Sequence, residues 1–273
     1  MLFDMHVHMY PDRLAKRAID SVVRSSTTVP RTDATLEDTG KKLKLWGVTG
    51  AAVMNIATKP HQQTDVNNWA ARIQDDFFHC FGSVHPAAPD AVRETFRIRE
   101  LGLYGIKLHP DYQHVFVDDR RFFPVYDAAA ELHLPITFHA GMDPLSPKLV
   151  HAPPEKIARI ARMFPKLTII AAHLGGMCQC NEAEKYVVGL ENVYLDTAMS
   201  FRFCSAEQAR RMILKHGTDR VLFASDCPWS RPTDELRFVN QLNLSSGDME
   251  KILFRNALYL LHLSPDGKRI RQN

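Results

Sequence analysis

"FDMHVH", residues 3–8, opens the chain with two histidines one residue apart in an otherwise largely apolar run. In an extended strand alternate side chains project to one face, so His6 and His8 are expected to point together, with Phe3, Met5 and Val7 on the other side. Two neutral imidazoles in a core both need polar partners, and two charged ones repel. A metal ion removes both difficulties. The stretch therefore asks whether the rest of the chain brings further ligands to the same end of a sheet.

Seven more short apolar, β-branched runs follow, at 48–56, 77–85, 104–109, 135–140, 167–173, 192–196 and 221–226. After the first gap they start roughly 25 to 32 residues apart, the period of a strand–helix unit. Amphipathic segments lie between them at 89–101, 122–132, 154–164, 182–188 and 206–216. In "SAEQARRMILKHG", residues 205–217, Ser205 reads as the helix N-cap and Gly217 as its stop. Eight such units in 273 residues predict an α/β fold, a closed (β/α)8 TIM barrel, as a single domain over 1–273. A doubly wound open sheet is the main competitor, but no glycine-rich fingerprint follows the first run. The longest connection, 9–47, contains "SSTTVPRTD", a polar segment suited to a loop or lid over the strand ends.

Composition sets the outer bounds. The chain is 45% hydrophobic and 24% charged, with a formal net charge of +3, too small to argue for a nucleic-acid or membrane surface. No apolar stretch is long enough to span a bilayer and no basic-then-apolar leader precedes residue 3, so a cytoplasmic protein is expected. The five cysteines, Cys80, Cys178, Cys180, Cys204 and Cys227, are odd in number and scattered, which argues against a disulfide framework. Cys178 and Cys180 form a lone C-x-C, weak evidence for a metal.

In a barrel of this kind the catalytic groups sit at the C-terminal ends of the strands. Here the first run ends in His6 and His8, and the fourth in Lys107 and His109. The fifth ends in His139, the sixth in His173 and the eighth in Asp226. One histidine finishing a strand is most often structural. Several such ends together with an aspartate, converging on one face, point to a metal centre.

The ordered set resembles the amidohydrolase superfamily: H-x-H on strand one, histidines on strands five and six, and an aspartate on strand eight. "AAHLGG" (171–176), "NVYLDTA" (192–198), "SDCPW" (225–229) and "KILFRNALYLL" (251–261) resemble its amidohydrolase-related branch. That branch includes aminocarboxymuconate-semialdehyde decarboxylase and several lactone hydrolases. The resemblance runs from Phe3 to about Leu263.

The resemblance implies that His6, His8, His139 and Asp226 bind one divalent ion, Zn²⁺ or another transition metal, one per chain rather than two. Imidazole nitrogens and a carboxylate oxygen suit zinc, which lowers the pKa of a bound water towards about 7. Asp226 then has a second, catalytic role, accepting a proton and passing it to the leaving group. His173 is implied to be a catalytic acid or base in single-metal members and a ligand in two-metal members. Lys107 stands where two-metal members carry a bridging carboxylated lysine or a glutamate. The branch resembled here favours a free ammonium, pairing with Asp226 or an acidic substrate.

His109 shares a strand face with Lys107 and is expected either to meet substrate or to cap the following loop. Loops after strand ends carry specificity. Tyr112 (with Asp111 and Gln113), Asp143, Trp229 and Arg231 lie in such loops. Arg231 and Arg202 are candidates to clamp a substrate carboxylate bidentately. Asp196 ends the seventh run, where hydrogen bonding to loop backbone is a sufficient role.

The leading functional reading is a metal-dependent hydrolase of a small amide, ester or lactone. The alternative is a metal-dependent, non-oxidative decarboxylase of a small unsaturated or aromatic acid. The intact H-x-H occurs in both. A TatD-type deoxyribonuclease ranks low, because that group carries glutamate where Lys107 stands and the near-neutral charge offers little phosphate affinity. A barrel reused for binding alone usually loses ligands, and here every expected one is present. The expected partner is a small-molecule substrate, carboxylates included, with neither nucleic acid nor membrane. Members of the branch are often dimers, so a homodimer is an expectation that no stretch of this sequence localises.

Overall fold

The computed structural model describes residues 1–26 and 28–270. It contains eight strands: β1 (Phe3–Val7), β2 (Gly50–Met54), β3 (Phe78–Gly82), β4 (Gly105–Leu108), β5 (Ile136–Phe138), β6 (Ile169–Ala171), β7 (Val193–Asp196) and β8 (Val221–Leu222). All neighbours are parallel, in the order β1 to β8. β8 itself is short, but residues 223–227 continue alongside β1. Met5 N donates to Phe223 O at 2.9 Å, Asp226 N to His6 O at 2.9 Å and His8 N to Cys227 O at 2.6 Å, closing the circle. The fold is the (β/α)8 barrel that the spacing of apolar runs predicts.

β1 departs from simple alternation. Phe3 pairs with Gly50 and Asp4 with Ala51, yet Val7 pairs with Val53, so β1 carries one residue more than β2 between the last two pairs. This bulge reverses the phase of the strand. Phe3 and Met5 pack with Ala52, Met54, Phe81, Ile170 and Leu222 inside the barrel, whereas Val7 joins the outer core with Val53, Leu108 and Phe138. The expectation that Phe3, Met5 and Val7 share one face is therefore corrected. Above the bulge His6 and His8 also point inward, stacking a polar layer on an apolar plug.

The helices fall on the expected segments: Ala91–Glu100, Phe123–Glu131, Pro154–Met163, Cys180–Tyr186 and Ala206–His216. Ser205 Oγ accepts from Gln208 N at 3.1 Å as the N-cap, and Gly217 ends that helix at φ +97°. The long first connection is more ordered than a loop, holding helices Asp12–Ser25 and Leu36–Leu45. The first of these buries Ala15 alone among its described side chains. Among the described residues no helix is long and apolar enough to cross a membrane.

Candidate metal centre

His6 and His8 are oriented by acceptors on their outer nitrogens. His6 Nδ1 donates to Asp196 Oδ2 at 2.8 Å, and His8 Nδ1 donates to the Met54 carbonyl at 2.8 Å. Neither acceptor can donate, so each ring carries its proton on Nδ1 and turns the Nε2 lone pair inward. Both Nε2 atoms and Asp226 Oδ1 lie within 4.8 Å of one another. Asp226 Oδ1 is 3.5 Å from His6 and 3.2 Å from His8. The two rings cross at 64°, so their in-plane lone pairs can meet at one point.

The electrostatics fit an ion. Burial, reinforced by Lys107, holds His6 well below its ordinary pKa and keeps it neutral. Burial by itself would raise the Asp226 carboxyl, but His6, His8 and His173 outweigh it and pull it down to about 2. Two imidazole nitrogens facing one carboxylate form a donor set that suits a divalent transition metal.

A second trio, His109 Nε2, His139 Nε2 and Asp143 Oδ2, is similarly compact, with the carboxylate 3.6 and 3.9 Å from the two histidines. Its ring geometry opposes an ion. His109 and His139 stack 4.3 Å apart at an interplanar angle of 12°, and near-parallel planes give lone pairs no common target. Tyr112 extends the stack on His109, 3.6 Å away at 8°. The expected fourth ligand, His139, is thus beside the His6–His8–Asp226 group but outside it. Its Nδ1 faces His173 Nε2 at 3.2 Å, and its buried Nε2 has no hydrogen-bond partner among the described residues.

His173 is fixed by Nδ1 donating to Ala198 O at 2.9 Å and by its backbone N–H donating to Asp196 Oδ1 at 2.8 Å. Asp196 therefore holds loop backbone with one oxygen and the His6 imidazole with the other. Lys107 is fully buried, and burial lowers its ammonium to about 8 against the opposing pull of Asp196, Asp226 and Asp143. Its hydrogen-bond partner is His6 Nε2 at 3.0 Å, not Asp226.

These groups open into one cavity, in which His109, Tyr112 and Trp229 form walls. Trp229 packs with Met177 and Met199, giving an apolar side. Ser26 and Thr28, from the segment expected to form a lid, line it too, as does Val22 of the first helix. Tyr10, two residues beyond His8, was not singled out by the sequence reading although the same alternation points to it. Burial and the Asp226 charge push its phenol up to about 12.

Arg231 is elsewhere. Its guanidinium forks onto Asp234 at 2.8 and 3.1 Å, and it is not among the residues lining the cavity. An aspartate three residues on, in the first turn of helix Pro232–Gln241, is simply the nearer carboxylate. Arg202 donates to Trp229 O at 3.1 Å and so supports the wall.

Solved structures share the fold. An uncharacterised TIM-barrel protein from Bordetella bronchiseptica superposes with a TM-score of 0.77 at 22% identity, over 98% of this chain and 99% of that one. The 5-carboxyvanillate decarboxylase of Sphingomonas paucimobilis gives 0.72 at 14% identity, over 96% and 99%. A dihydroxybenzoic acid decarboxylase from Polaromonas, with bound manganese and the inhibitor 2-nitroresorcinol, gives 0.71 at 16% identity, over 95% and 96%. Identities this low speak to architecture alone. No curated protein matches the chain. The amidohydrolase family model matches residues 3–263, nearly the whole barrel with its inward-facing histidines and Asp226, and the chain belongs to that family.

Proposed function

We propose that the chain is a divalent-metal-dependent decarboxylase of a small, flat unsaturated or aromatic carboxylic acid. The observation that carries this reading is one cavity in which the His6–His8–Asp226 donors lie beside a buried lysine, Lys107, and below a flat Tyr112–His109 wall. The decarboxylases among the structural relatives favour it over hydrolysis, the reading placed first on sequence grounds.

His6, His8 and Asp226 would hold the ion, with His139 as the proposed fourth donor. When bound, the metal supplies positive charge that fixes a polar substituent of the substrate and offsets charge developing during reaction. Manganese joins zinc as a candidate, since nitrogen and oxygen donors suit both. One ion per chain is proposed, because one trio alone has ring planes that meet.

The reaction breaks the bond between a substrate carbon and its carboxylate. Carbon dioxide leaves, and a proton takes its place on carbon. Lys107 binds a carboxylate oxygen through a charge-assisted hydrogen bond. Tyr112, His109 and Trp229 orient the plane of the substrate. His173 takes and gives a proton at Nε2, its Nδ1 being committed to Ala198. Asp226 is the alternative relay. The Met177–Met199–Trp229 side excludes water, which favours conversion of a charged carboxylate to neutral carbon dioxide.

The test is turnover of hydroxybenzoates and related acids by metal-loaded protein in D₂O. Carbon dioxide release with one deuterium at the vacated carbon is expected. Turnover of ester, amide or lactone substrates without carbon dioxide release from any acid would return the assignment to hydrolysis.

A further inference from the structure

Three of the five cysteines gather on the β6–β7 side of the barrel, and none lines the cavity. Cys178 is exposed, whereas Cys180 and Cys204 are buried. Cys180 is the first residue of the helix Cys180–Tyr186, which follows β6. Cys204 follows β7 and immediately precedes Ser205, the N-cap described above. Cys180 Sγ donates to the carbonyl of Phe203 at 3.7 Å, which places the Cys180 thiol against the peptide that leads into Cys204.

The scaffold keeps them there. Gln208 Nε2 donates to Asn181 Oδ1 at 2.8 Å, and Arg211 forks onto Glu184 at 2.7 and 2.9 Å. These contacts lace the helix after Cys180 to the helix after Cys204. A disulfide needs its two sulfurs about 2.05 Å apart and its Cα atoms roughly 5.5 to 6 Å apart. A Cys180 thiol packed against the peptide that leads into Cys204, on cross-braced elements, starts near that arrangement.

We infer that Cys180 and Cys204 are a modification site, a dithiol that hydrogen peroxide closes to an intrachain disulfide. In the first step the Cys180 thiolate attacks a peroxide oxygen. A sulfur–oxygen bond forms, the oxygen–oxygen bond breaks, and the departing hydroxide takes up the thiol proton as water. In the second step the Cys204 thiolate attacks that sulfur and displaces hydroxide, which leaves as water with the second thiol proton. Two thiols are oxidised and one peroxide is reduced to two waters. The bond ties the loop carrying Met177 to the loop carrying Met199, two members of the apolar cavity side. The same two loops are spanned by the His173–Ala198 hydrogen bond.

The experiment uses the full chain, reduced and desalted, then exposed to hydrogen peroxide, blocked with a maleimide and mapped by mass spectrometry without reduction. Expected is the loss of two reactive thiols per chain, a cross-linked Cys180–Cys204 peptide, and recovery of both thiols with dithiothreitol. Cys178→Ser, a change at an exposed position, should give the same cross-link. Cys204→Ser should instead halt at a sulfenic acid on Cys180 that dimedone traps. The proposal is overturned if Cys180 and Cys204 stay reduced while Cys178 is oxidised. A bond between Cys178 and Cys180, or between two chains through Cys178, overturns it equally.

Discussion

Asp196→Asn changes one buried atom directly behind His6, and its effect follows from counting donors. Three N–H groups point at the Asp196 carboxylate: His173 N and Ala198 N at Oδ1, 2.8 and 3.1 Å away, and His6 Nδ1 at Oδ2, 2.8 Å away. An asparagine offers one acceptor atom and one donor group. With its oxygen facing the two backbone groups, its NH₂ faces His6 and can be satisfied only if Nδ1 becomes an acceptor. The His6 proton then moves to Nε2, where it occupies the lone pair that faces Asp226 and Lys107. Loss of the partner that orients a ligating histidine typically costs about 10- to 100-fold in metal affinity, or roughly 1.4–2.7 kcal/mol. The assay is calorimetric titration of Zn²⁺ or Mn²⁺ into metal-free variant and parent, with the His6 tautomer read by long-range ¹H–¹⁵N correlation. An affinity within about twofold of the parent, with Nε2 protonated as described, would refute the reasoning outright, because the lone pair would then be dispensable.

His6→Ala and His8→Ala should each reduce bound metal from about one ion per chain to a small fraction after dialysis, by elemental analysis; full retention counts against the ligand assignment. Lys107→Met keeps the bulk and removes the charge. It should raise KM for a carboxylate substrate about 10- to 100-fold, the equivalent of one charge-assisted hydrogen bond, and an unchanged KM would remove Lys107 as the carboxylate site. His216, remote from the cavity, should make the fold acid-sensitive. Burial, assisted by Arg220 and opposed by the bond to Val193, lowers its pKa from 6.5 to about 4. The neutral ring serves both neighbours, accepting from Gly189 N at 3.0 Å and donating to Val193 O at 2.9 Å. With the folded value below the unfolded one, the stability it contributes is complete above pH 6.5 and is lost as pH falls through about 4. That gap corresponds to roughly 3 kcal/mol at 1.36 kcal/mol per pH unit, and urea denaturation at pH 7 and pH 4 measures it. His216→Gln should flatten this dependence.

Much of the barrel was legible because its period is written in apolar runs, and polar residues break those runs where strands meet the cavity. His6, His8, Lys107, His139, His173 and Asp226 were found by that break alone, and all of them line one cavity. The bulge in β1 was not legible, since an extra residue exists only relative to the partner strand. Ring orientation was hidden for the same reason. That His139 stacks on His109 and turns Nδ1 to His173 depends on loops from three different strands. Arg231 misled because a guanidinium near a strand end invites a substrate, while Asp234 lies within the same turn of chain. The helix Asp12–Ser25 was missed although Leu14, Ala15, Ala18, Ile19, Val22 and Val23 recur at helical spacing, because the polar stretch "SSTTVPRTD" that follows it set the reading of the whole connection.

The barrel's closing seam sets an order of assembly. His6 and His8 belong to the first strand, whereas Asp226 arrives on the stretch that docks beside it last in sequence, and the Asp4–Ser225 contacts at the same joint span 221 positions. Closing so long a loop is entropically costly and slow compared with pairing neighbouring strands. A nascent or truncated chain that stops short of Asp226 can form much of the sheet yet owns only two of the three converging donors. On the proposed ligand set, metal capture would be a late event, reserved for chains whose ends have met. An ion held there would favour the closed form over the open one and act as a clasp on the joint between the first and last strands.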